Sequence, residues 1–348
     1  TGDVGAKFPN DYTSAKSAVK QLATDVLGSL QMKGEAINNV YSKSLMGVSA
    51  SMTAEQAAKL ANDNRVAYIE KDQMFTLAPP PGKGPGGGGG GGSTGQETPW
   101  GIARVNGGTT YTGNNVAWII DSGIDSSHED LNVDASRGFN AFTNGPDSDI
   151  LVDNNGHGTH VAGTVAAIDN SVGVVGVAAG ATVIPVKVLD RRGSGSYSGV
   201  IAGIDFVAAN GSNGDVANMS LGGGFSQAVN DAVIAASSTV KFAIAAGNES
   251  SDANGSSPAS ANGPNIYTIS AMSQGDNWAS FSNYGNPPVD YCEPGVAIKS
   301  TWPGGYNTIS GTSMASPHAC GILLLGNIGN GGTVSGDPDG NADTIGVN

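Results

Sequence analysis

Residues 116–125 read VAWIIDSGID, an apolar run that ends at Asp121. A short, continuous apolar run of this kind predicts a strand that is buried on both faces of a sheet. Similar runs follow at 183–189, 216–219 and 242–246, and helical patterns lie between the runs at 157–168, 198–209 and 226–237. This alternation predicts an α/β fold with a parallel sheet covered by helices on both faces. In such sheets, functional residues gather beyond the carboxyl ends of the strands.

A stretch rich in Gly and Pro divides the chain. Residues 79–95 read PPPGKGPGGGGGGGSTG, which offers no apolar side chain to bury. The backbone entropy of such a stretch is costly to freeze, so we expect an exposed, flexible linker. It separates a small domain, residues 1–78, from a large domain, residues 96–348.

The small domain has both helical and strand signals. Apolar residues recur with a helical period from Ser14 to Leu30, and Thr53 with Gln56 matches a capping box that opens a second helix. Strands are predicted at 40–48 and 66–69. Helix, strand, helix and strand in this order predict a small α+β domain.

Three short segments carry candidate catalytic side chains. Asp121 ends the first strand, His157 lies in GHGTHVAG and Ser313 lies in SGTSMASPHACG, the last two at predicted helix starts. Each segment alone is ambiguous, because a strand-end Asp, a lone His and a Gly-Thr-Ser turn are common in structural roles. Together, Asp, His and Ser follow the chain order of subtilisin-type peptidases.

The three segments closely resemble the signature blocks of the subtilase family of serine peptidases. The resemblance covers most of residues 96–325, and SSPAS at 256–260 and FSNYG at 281–285 are similar to the proteinase K branch. It implies a subtilisin-like fold and a serine endopeptidase.

Acyl transfer defines the role of each side chain. A Ser hydroxyl is a weak nucleophile until a base removes its proton, so Ser313 is the expected nucleophile and His157 the expected base and then acid. Asp121 would orient His157 and stabilise the imidazolium. Asn248, in AIAAGNES, has the local pattern of a turn residue, and the resemblance makes it an oxyanion donor.

His157 and His160 also have the spacing of half a zinc site. Zinc catalysis needs a third protein ligand and a placed base, and the sequence has no HExxH-like pattern. We therefore interpret His160 as a structural residue one helical turn from the base.

Two segments of small residues at strand ends are candidates for substrate contacts, although ordinary turns have the same pattern. These segments are Gly193, Ser194, Gly195 and Ser220, Leu221, Gly222. The resemblance implies that they pair with the substrate backbone on either side of a pocket whose floor lies near 257–260. Glycine there lets a peptide approach closely. Because these segments contain no charged residue, we expect broad specificity with apolar or aromatic side chains at the P1 position.

The loop at 167–178, AIDNSVGVVGVA, follows the predicted His157 helix and is rich in oxygen ligands. Alone it is weak evidence for a metal. The resemblance implies a Ca²⁺ site, and six oxygens suit this ion. The implied ligands are the side chains of Gln96, Asp130 and Asn170 and the backbone oxygens of Ile168, Val172 and Val174.

VAYIEKDQMFTLA at 66–78 resembles the last strand and tail of the subtilase inhibitory propeptide. The resemblance implies a ferredoxin-like unit that assists folding and whose tail then occupies the active site. It places the cleavage point near Ala78, but Pro79 follows. Proline has no N–H and a fixed φ, so a bond with Pro on its leaving side is a poor substrate. We expect processing between Ala78 and Thr94.

Composition narrows the partners. The 348 residues carry a net charge of −14 with no basic cluster, which argues against nucleic acid. No apolar run approaches the roughly 18 residues of a membrane span. Cys292 and Cys320 are too few for a disulfide scaffold, and they can pair or remain buried thiols. The chain begins at Thr1, as it would after removal of an export signal or at another boundary.

These observations predict a secreted, monomeric serine endopeptidase that is made as a self-inhibited proenzyme and acts on proteins and peptides. The alternative is an inactive binding protein with a subtilase fold. The presence of all four catalytic candidates argues against it, because decay of function would be expected to remove at least one. A third hypothesis is a proteinase inhibitor whose working part is residues 1–78.

Overall fold

The computed structural model of the chain describes residues 7–8, 11–32, 37–77 and 95–348. Ala78 and all of the predicted linker except Gly95 lie outside the described residues, and so do the possible processing sites after Ala78. We refer to residues 7–77 as the N-terminal part and to residues 95–348 as the C-terminal part.

Both predicted helices of the N-terminal part form. Helix α1 spans Tyr12–Ser29, and the Asp11 carboxylate caps its first turn. Helix α2 spans Ala54–Ala61, and Thr53 and Gln56 make the reciprocal hydrogen bonds of the predicted capping box.

The strand predictions for this part are only partly correct. Instead of one strand at 40–48, β1 (Ile37–Tyr41) and β2 (Gly47–Ala50) pair antiparallel across a turn. The turn is held from outside, because the N–H groups of residues 42–44 all donate to the Asp205 carboxylate of the C-terminal part. The predicted strand at 66–69 is wrong, because this segment contacts the C-terminal part through side chains. The next strand is β3 (Met74–Thr76).

The C-terminal part alternates strands and helices, as predicted. Its strands are β4 (Thr109–Thr110), β5 (Ala117–Asp121), β6 (Phe139–Asn140), β7 (Ala178–Ala179), β8 (Val183–Lys187), β9 (Ser194–Ser196), β10 (Val216–Met219), β11 (Gly223–Gly224), β12 (Lys241–Ala245), β13 (Ser256–Ser257), β14 (Ile266–Ser273), β15 (Asn277–Trp278), β16 (Val289–Pro294), β17 (Ile298–Trp302), β18 (Gly305–Ile309), β19 (Gly329–Thr333) and β20 (Thr344–Val347). Its helices are α3 (Trp100–Arg104), α4 (His157–Ala166), α5 (Tyr197–Asn210), α6 (Gln227–Ala236) and α7 (Thr312–Leu325).

One ten-stranded sheet forms the centre of the C-terminal part. Its order is β19-β20-β16-β14-β12-β10-β5-β8-β6, with β15 paired to β14. The strands from β20 to β6 run parallel to their neighbours. Only β15 and β19 are antiparallel additions to this sheet.

Helices cover both faces of the sheet, as predicted. Trp118 and Ile120 of β5 belong to one apolar cluster, together with residues of α5 and α6. Ala117 and Ile119 belong to a second cluster, together with residues of α4 and α7. All four side chains are fully buried. This burial on both faces explains why the strand reads as a continuous apolar run.

The two cysteines are buried free thiols. Cys292 lies in the small apolar cluster beside β20, whereas Cys320 lies in the cluster under α7. In the described part of the chain, no helix combines the length and the apolar character that crossing a membrane requires.

Candidate active site

The structure brings the four predicted catalytic residues to one edge of the sheet. Asp121 is the last residue of β5, His157 is the first of α4, Ser313 lies in the first turn of α7 and Asn248 follows β12. His157, Asn248 and Ser313 line a cleft of about 820 Å³, and Asp121 is fully buried behind His157. The edge forms because parallel strands end, and their following helices begin, on the same side.

Asp121 orients the imidazole of His157. The His157 Nδ1 atom lies 2.9 and 3.0 Å from the two carboxylate oxygens of Asp121. Burial lowers the pKa of His157, but the charge and hydrogen bond of Asp121, with a smaller contribution from Asp153, raise it above its ordinary value. The pair is therefore arranged to stabilise a protonated imidazole.

Ser313 lies in the same cleft but is not hydrogen-bonded to His157. Its Oγ donates to the backbone carbonyl of Ser220 at 3.1 Å, and the Ser220 Oγ donates to the Ser313 carbonyl at 2.7 Å. The backbone N–H groups of the first turn of a helix have no acceptor within the helix. In the first turn of α7, the N–H of Thr312 donates to Asn248 and that of Met314 to the Gly311 carbonyl, so the N–H of Ser313 and the positive end of the helix dipole are left for the cleft.

The amide of Asn248 is fixed by its oxygen. Asn248 Oδ1 accepts hydrogen bonds from the Thr312 N–H at 2.9 Å and the Thr312 hydroxyl at 3.0 Å. Thr312 Oγ1 in turn accepts from the N–H of Gly247 at 3.1 Å. With its oxygen held in this way, the amide turns its Nδ2 donor away from Thr312, and the side chain lines the cleft beside Ser313.

Residues 74–77 run into this cleft as a strand. β3 pairs antiparallel with β9, which places Phe75 opposite Gly195 and Thr76 opposite Ser194. The N–H of Leu77 then donates to the carbonyl of Gly193 at 2.9 Å. Residues 70–77, which we call the tail of the N-terminal part, therefore contact all three residues predicted for this wall.

The second predicted wall also contributes to the cleft. Leu221 and Gly222 line it, and Ser220 contacts Ser313 as described above. Among the described residues, no strand pairing joins this wall to the tail. Ala259 lines the bottom of the cleft, within the segment 257–260 where the pocket floor is expected.

Two acidic side chains of the tail cap helices of the C-terminal part. The Asp72 carboxylate accepts from the N–H of Ser198 at 3.0 Å and from its hydroxyl at 2.6 Å, in the first turn of α5. Glu70 accepts from the N–H of Ala228 at 3.1 Å, in the first turn of α6. Carboxylates at helix N-termini satisfy free N–H groups and are favoured by the helix dipole.

Among the charged residues near the cleft that the sequence patterns did not predict are Arg192, Asp153 and Glu249. Arg192 lines the cleft together with Leu77 and His157. In the sequence it immediately precedes Gly193, the first residue of the predicted wall. Asp153 is buried four residues before His157 and bonds to the start of α4. The sequence shows an arginine pair at 191–192 and an Asp in DNNGH. Neither lies in a local pattern that indicates a function.

The residues predicted for calcium also lie together. Gln96 Nε2 donates to the carbonyls of Ile168 at 2.8 Å and Val174 at 3.3 Å. The fully buried Asp130 accepts from Asn170 Nδ2 at 2.8 Å and from the Val174 N–H at 3.1 Å. Burial raises the pKa of Asp130 above its ordinary value.

Val172, the sixth predicted ligand, joins this group through its N–H, which donates to Asn170 Oδ1 at 2.7 Å. A 180° rotation of the Gln96 amide would turn its oxygen toward the carbonyls. The set would then offer a carboxylate, two amide oxygens and three carbonyls, which is the all-oxygen chemistry that calcium prefers.

His160 has a structural environment. It is fully buried, and its Nε2 bonds to the carbonyl of Ile298 at 3.0 Å. Burial lowers its pKa to about 3, so the ring stays neutral. Within the described ranges, no group of three or more His, Cys, Asp or Glu side chains is placed to hold a metal.

Comparisons with known proteins agree with this geometry. Residues 114–327, more than half of the chain, match the Subtilase family, and residues 6–78 match the family Peptidase inhibitor I9. The chain is 40% identical over 302 residues to the alkaline serine exoprotease A of Vibrio alginolyticus, covering 83% of this chain and 53% of that protein. It is 38% identical over 327 residues to subtilisin E of Bacillus subtilis strain 168, covering 91% and 78%.

A solved structure, that of a cold adapted subtilisin-like serine proteinase, superimposes with a TM-score of 0.60 at 37% identity, covering 71% of this chain and 96% of the other. The chain spans about half the length of the Vibrio relative and most of subtilisin E. On these matches, the chain belongs to the subtilase family of serine endopeptidases, and its N-terminal part to the I9 family of peptidase inhibitors.

Proposed function

We propose that the chain is the proenzyme of a secreted serine endopeptidase that cleaves peptide bonds through an acyl-enzyme. Ser313 is the nucleophile, His157 removes its proton and later protonates the leaving amine, and Asp121 holds the imidazole in the required tautomer. The observation that carries this proposal is a peptide strand, residues 74–77, paired with β9 and running into a cleft lined by His157 and Ser313.

Asn248 Nδ2 and the N–H of Ser313 would stabilise the oxyanion of the tetrahedral intermediate. The geometry that supports this role is the anchoring of Asn248 Oδ1 by Thr312, which leaves the Nδ2 donor for the cleft. Loss of one such donor costs about 10²–10³-fold in kcat, a magnitude that comes from subtilisin, a relative of this chain.

The N-terminal part would act as an inhibitor until it is released. Its tail occupies the wall formed by Gly193, Ser194 and Gly195, where a substrate strand would bind. The ring of Phe75 lies 5.3 Å from that of Tyr197, and Leu221 faces the same cleft. These apolar contacts support a broad specificity that favours apolar and aromatic side chains. Processing between Ala78 and Thr94 would free the cleft.

A bound Ca²⁺ would be held by Gln96, Asp130 and Asn170 and by the carbonyls of the loop after α4. It would supply a fixed cross-link that ties the start of the C-terminal part to this loop. The proposal that the enzyme is secreted rests on relatives, one of which is named an extracellular serine proteinase from a Thermus strain.

The alternative, an inactive binding protein, would need a defect in the catalytic group. The 2.9 Å contact between Asp121 and His157 and the position of Ser313 in the same cleft argue for catalysis. The third hypothesis, an inhibitor with a scaffold, would leave this cleft without a role.

The test compares the chain with its Ser313→Ala variant in the presence of calcium. We expect the wild type to lose an N-terminal piece that ends between Ala78 and Thr94 and then to digest casein, while the variant stays whole and inert. Intact mass over time and casein hydrolysis report the two steps. If neither chain digests casein after another protease has removed the N-terminal part, the binding protein is the better hypothesis.

A further inference from the structure

Asp153 is a second buried carboxylate beside the candidate triad. It is 3% exposed, and its two oxygens accept five hydrogen bonds. The donors are Ser122 Oγ (2.9 Å), the N–H groups of Asn155 (3.1 Å), Gly156 (2.9 Å) and Thr159 (3.0 Å), and Thr159 Oγ1 (2.7 Å). So many bonds to one buried carboxylate hold it rigidly in place.

These bonds connect the strand that ends at Asp121 to the helix that begins at His157. The N–H of Ser122 donates to Asp121 Oδ1 at 2.7 Å, and its hydroxyl donates to Asp153. The same hydroxyl accepts from the N–H of Gly158 at 3.0 Å. A continuous chain of hydrogen bonds therefore runs from the Asp121 carboxylate through Ser122 to the first turn of α4.

Helix α4 cannot carry its own side-chain cap. Its N-cap residue is Gly156, which adopts a left-handed φ of 99°. A Cβ at this position would lie 2.4 Å from atoms of the Trp302 ring, so only glycine fits. Of the N–H groups that an N-cap side chain would satisfy, that of Thr159 donates to Asp153 and that of Gly158 donates to the Ser122 hydroxyl. Asp153 also sets an anion at the positive end of the helix.

The charge of Asp153 also acts on His157. The titratable or charged groups around the imidazole are Asp121 at the end of β5, Asp153 before α4, His160 on α4 itself, and Arg192 and Glu249, which line the same cleft. The Asp153 carboxylate raises the pKa of His157, in the same direction as Asp121. Lys187, whose Nζ bonds to the carbonyls of Asp149 and Val152, lies close to this carboxylate.

We infer that Asp153 is a positioning residue for the reaction, one that sets His157 against Asp121 through Ser122 and the first turn of α4. This inference rests on the proposed function. It assigns to Asp153 two separable effects: a geometric one carried by the hydrogen bonds through Ser122 and α4, and an electrostatic one carried by the negative charge.

The experiment measures kcat and KM against pH for the processed enzyme and its Asp153→Asn variant. Because charge-assisted bonds are lost, we expect kcat to fall roughly 10- to 100-fold while KM changes less than about twofold. Removing a negative charge lowers the pKa of His157, so the acid limb of the kcat profile should move to lower pH.

Asp147→Asn is the matched control. Asp147 is buried in the same loop, also acts on Lys187 and accepts from the N–H of Arg191 at 3.0 Å, but it has no bond to α4. The Asp147→Asn variant should leave the acid limb of the kcat profile in place. If both variants lose the same kcat and neither moves the acid limb, Asp153 is merely structural and the inference is overturned.

Ser122→Ala is a second variant, which tests the inference even if Asp153→Asn does not fold. It retains the charge and breaks only the link between the two elements, so kcat should fall at least severalfold with the acid limb unmoved. An unchanged kcat would overturn the geometric effect. A wild-type enzyme that cleaves nothing would instead reject the proposed function, which keeps the two failures distinct.

Discussion

Arg192 places a positive charge at the cleft of a chain whose net charge is −14. Its N–H donates to the Asp190 carboxylate at 2.8 Å, which shapes the turn before Gly193. Within the part of the chain that the structure describes, no carboxylate forms an ion pair with its guanidinium. The antiparallel register of the tail brings Arg192 close to Leu77, so substrate side chains near this position meet a cation.

We therefore predict a charge preference at the position that Leu77 holds. The wild type should favour Glu over Lys there, and Arg192→Ala should reduce the ratio of the two kcat/KM values about two- to fivefold, as for an exposed ion pair. Added salt should have the same effect, since it screens exposed charges.

Arg191→Ala is the control for this prediction, because it removes the same charge from the neighbouring residue, which does not line the cleft. An equal change in both variants would show that only the overall charge of the protein matters, and not the contact of Arg192 with the substrate.

Helix α5 is the element that joins the two parts of the molecule. Its buried Asp205 accepts hydrogen bonds from the N–H groups of residues 42–44 and from the hydroxyls of Tyr12 and Ser44. Its first turn is capped by Asp72, and the hydroxyl of Tyr41 donates to the Ser198 carbonyl at 3.0 Å. One helix therefore receives both the turn and the tail of the N-terminal part.

Asp205→Asn should weaken the inhibition of the processed enzyme by added segment 1–78. The amide oxygen is a neutral acceptor, so the charge-assisted bonds, each of which contributes about 1.5–3 kcal/mol, are weakened and the inhibition constant should rise at least tenfold. Casein hydrolysis without the segment should be unaffected, since Asp205 lies outside the cleft.

Asp231→Asn is the comparison for Asp205. Asp231 also faces the N-terminal part, but among the described residues of that part it accepts only from the Tyr68 hydroxyl, at an exposed position, so its loss should change the inhibition constant little. An equal effect of the two variants would mean that Asp205 is not a specific anchor.

At the scale of the whole molecule, the predicted calcium ligands join residues that are far apart in the chain. Gln96 begins the C-terminal part, Asp130 follows β5, and the loop 168–174 follows α4. The side-chain hydrogen bonds between these three segments cross 40 to 78 positions of sequence. An ion bound there would stabilise the folded state over the unfolded one by mass action.

Chelation of calcium should lower the Tm of the Ser313→Ala variant, which cannot digest itself. At a free calcium concentration about 1,000 times Kd, the ion adds about 4 kcal/mol to the free energy of unfolding. A further Asp130→Ala substitution should lower Tm and remove most of its response to calcium. If calcium still raises the Tm of the double variant as much as that of the Ser313→Ala variant, the ion binds elsewhere.

Local patterns in the sequence predicted much of this molecule. The capping box at Thr53, the strand that ends at Asp121 and the helix that begins at His157 form where expected, because each depends on residues that are neighbours in the chain. The order of Asp121, His157 and Ser313 also predicted the family, since the matched segments are specific to it.

The tertiary structure alone decided the features that depend on distant partners. Residues 42–44 turn because a carboxylate 161 to 163 positions away accepts their N–H groups, so the predicted strand at 40–48 was wrong. Asp153 matters because Ser122, 31 positions away, meets it at the start of α4. Periodicity and propensity describe short windows of sequence, whereas hydrogen bonds of this range exist only once the sheet has brought the windows together.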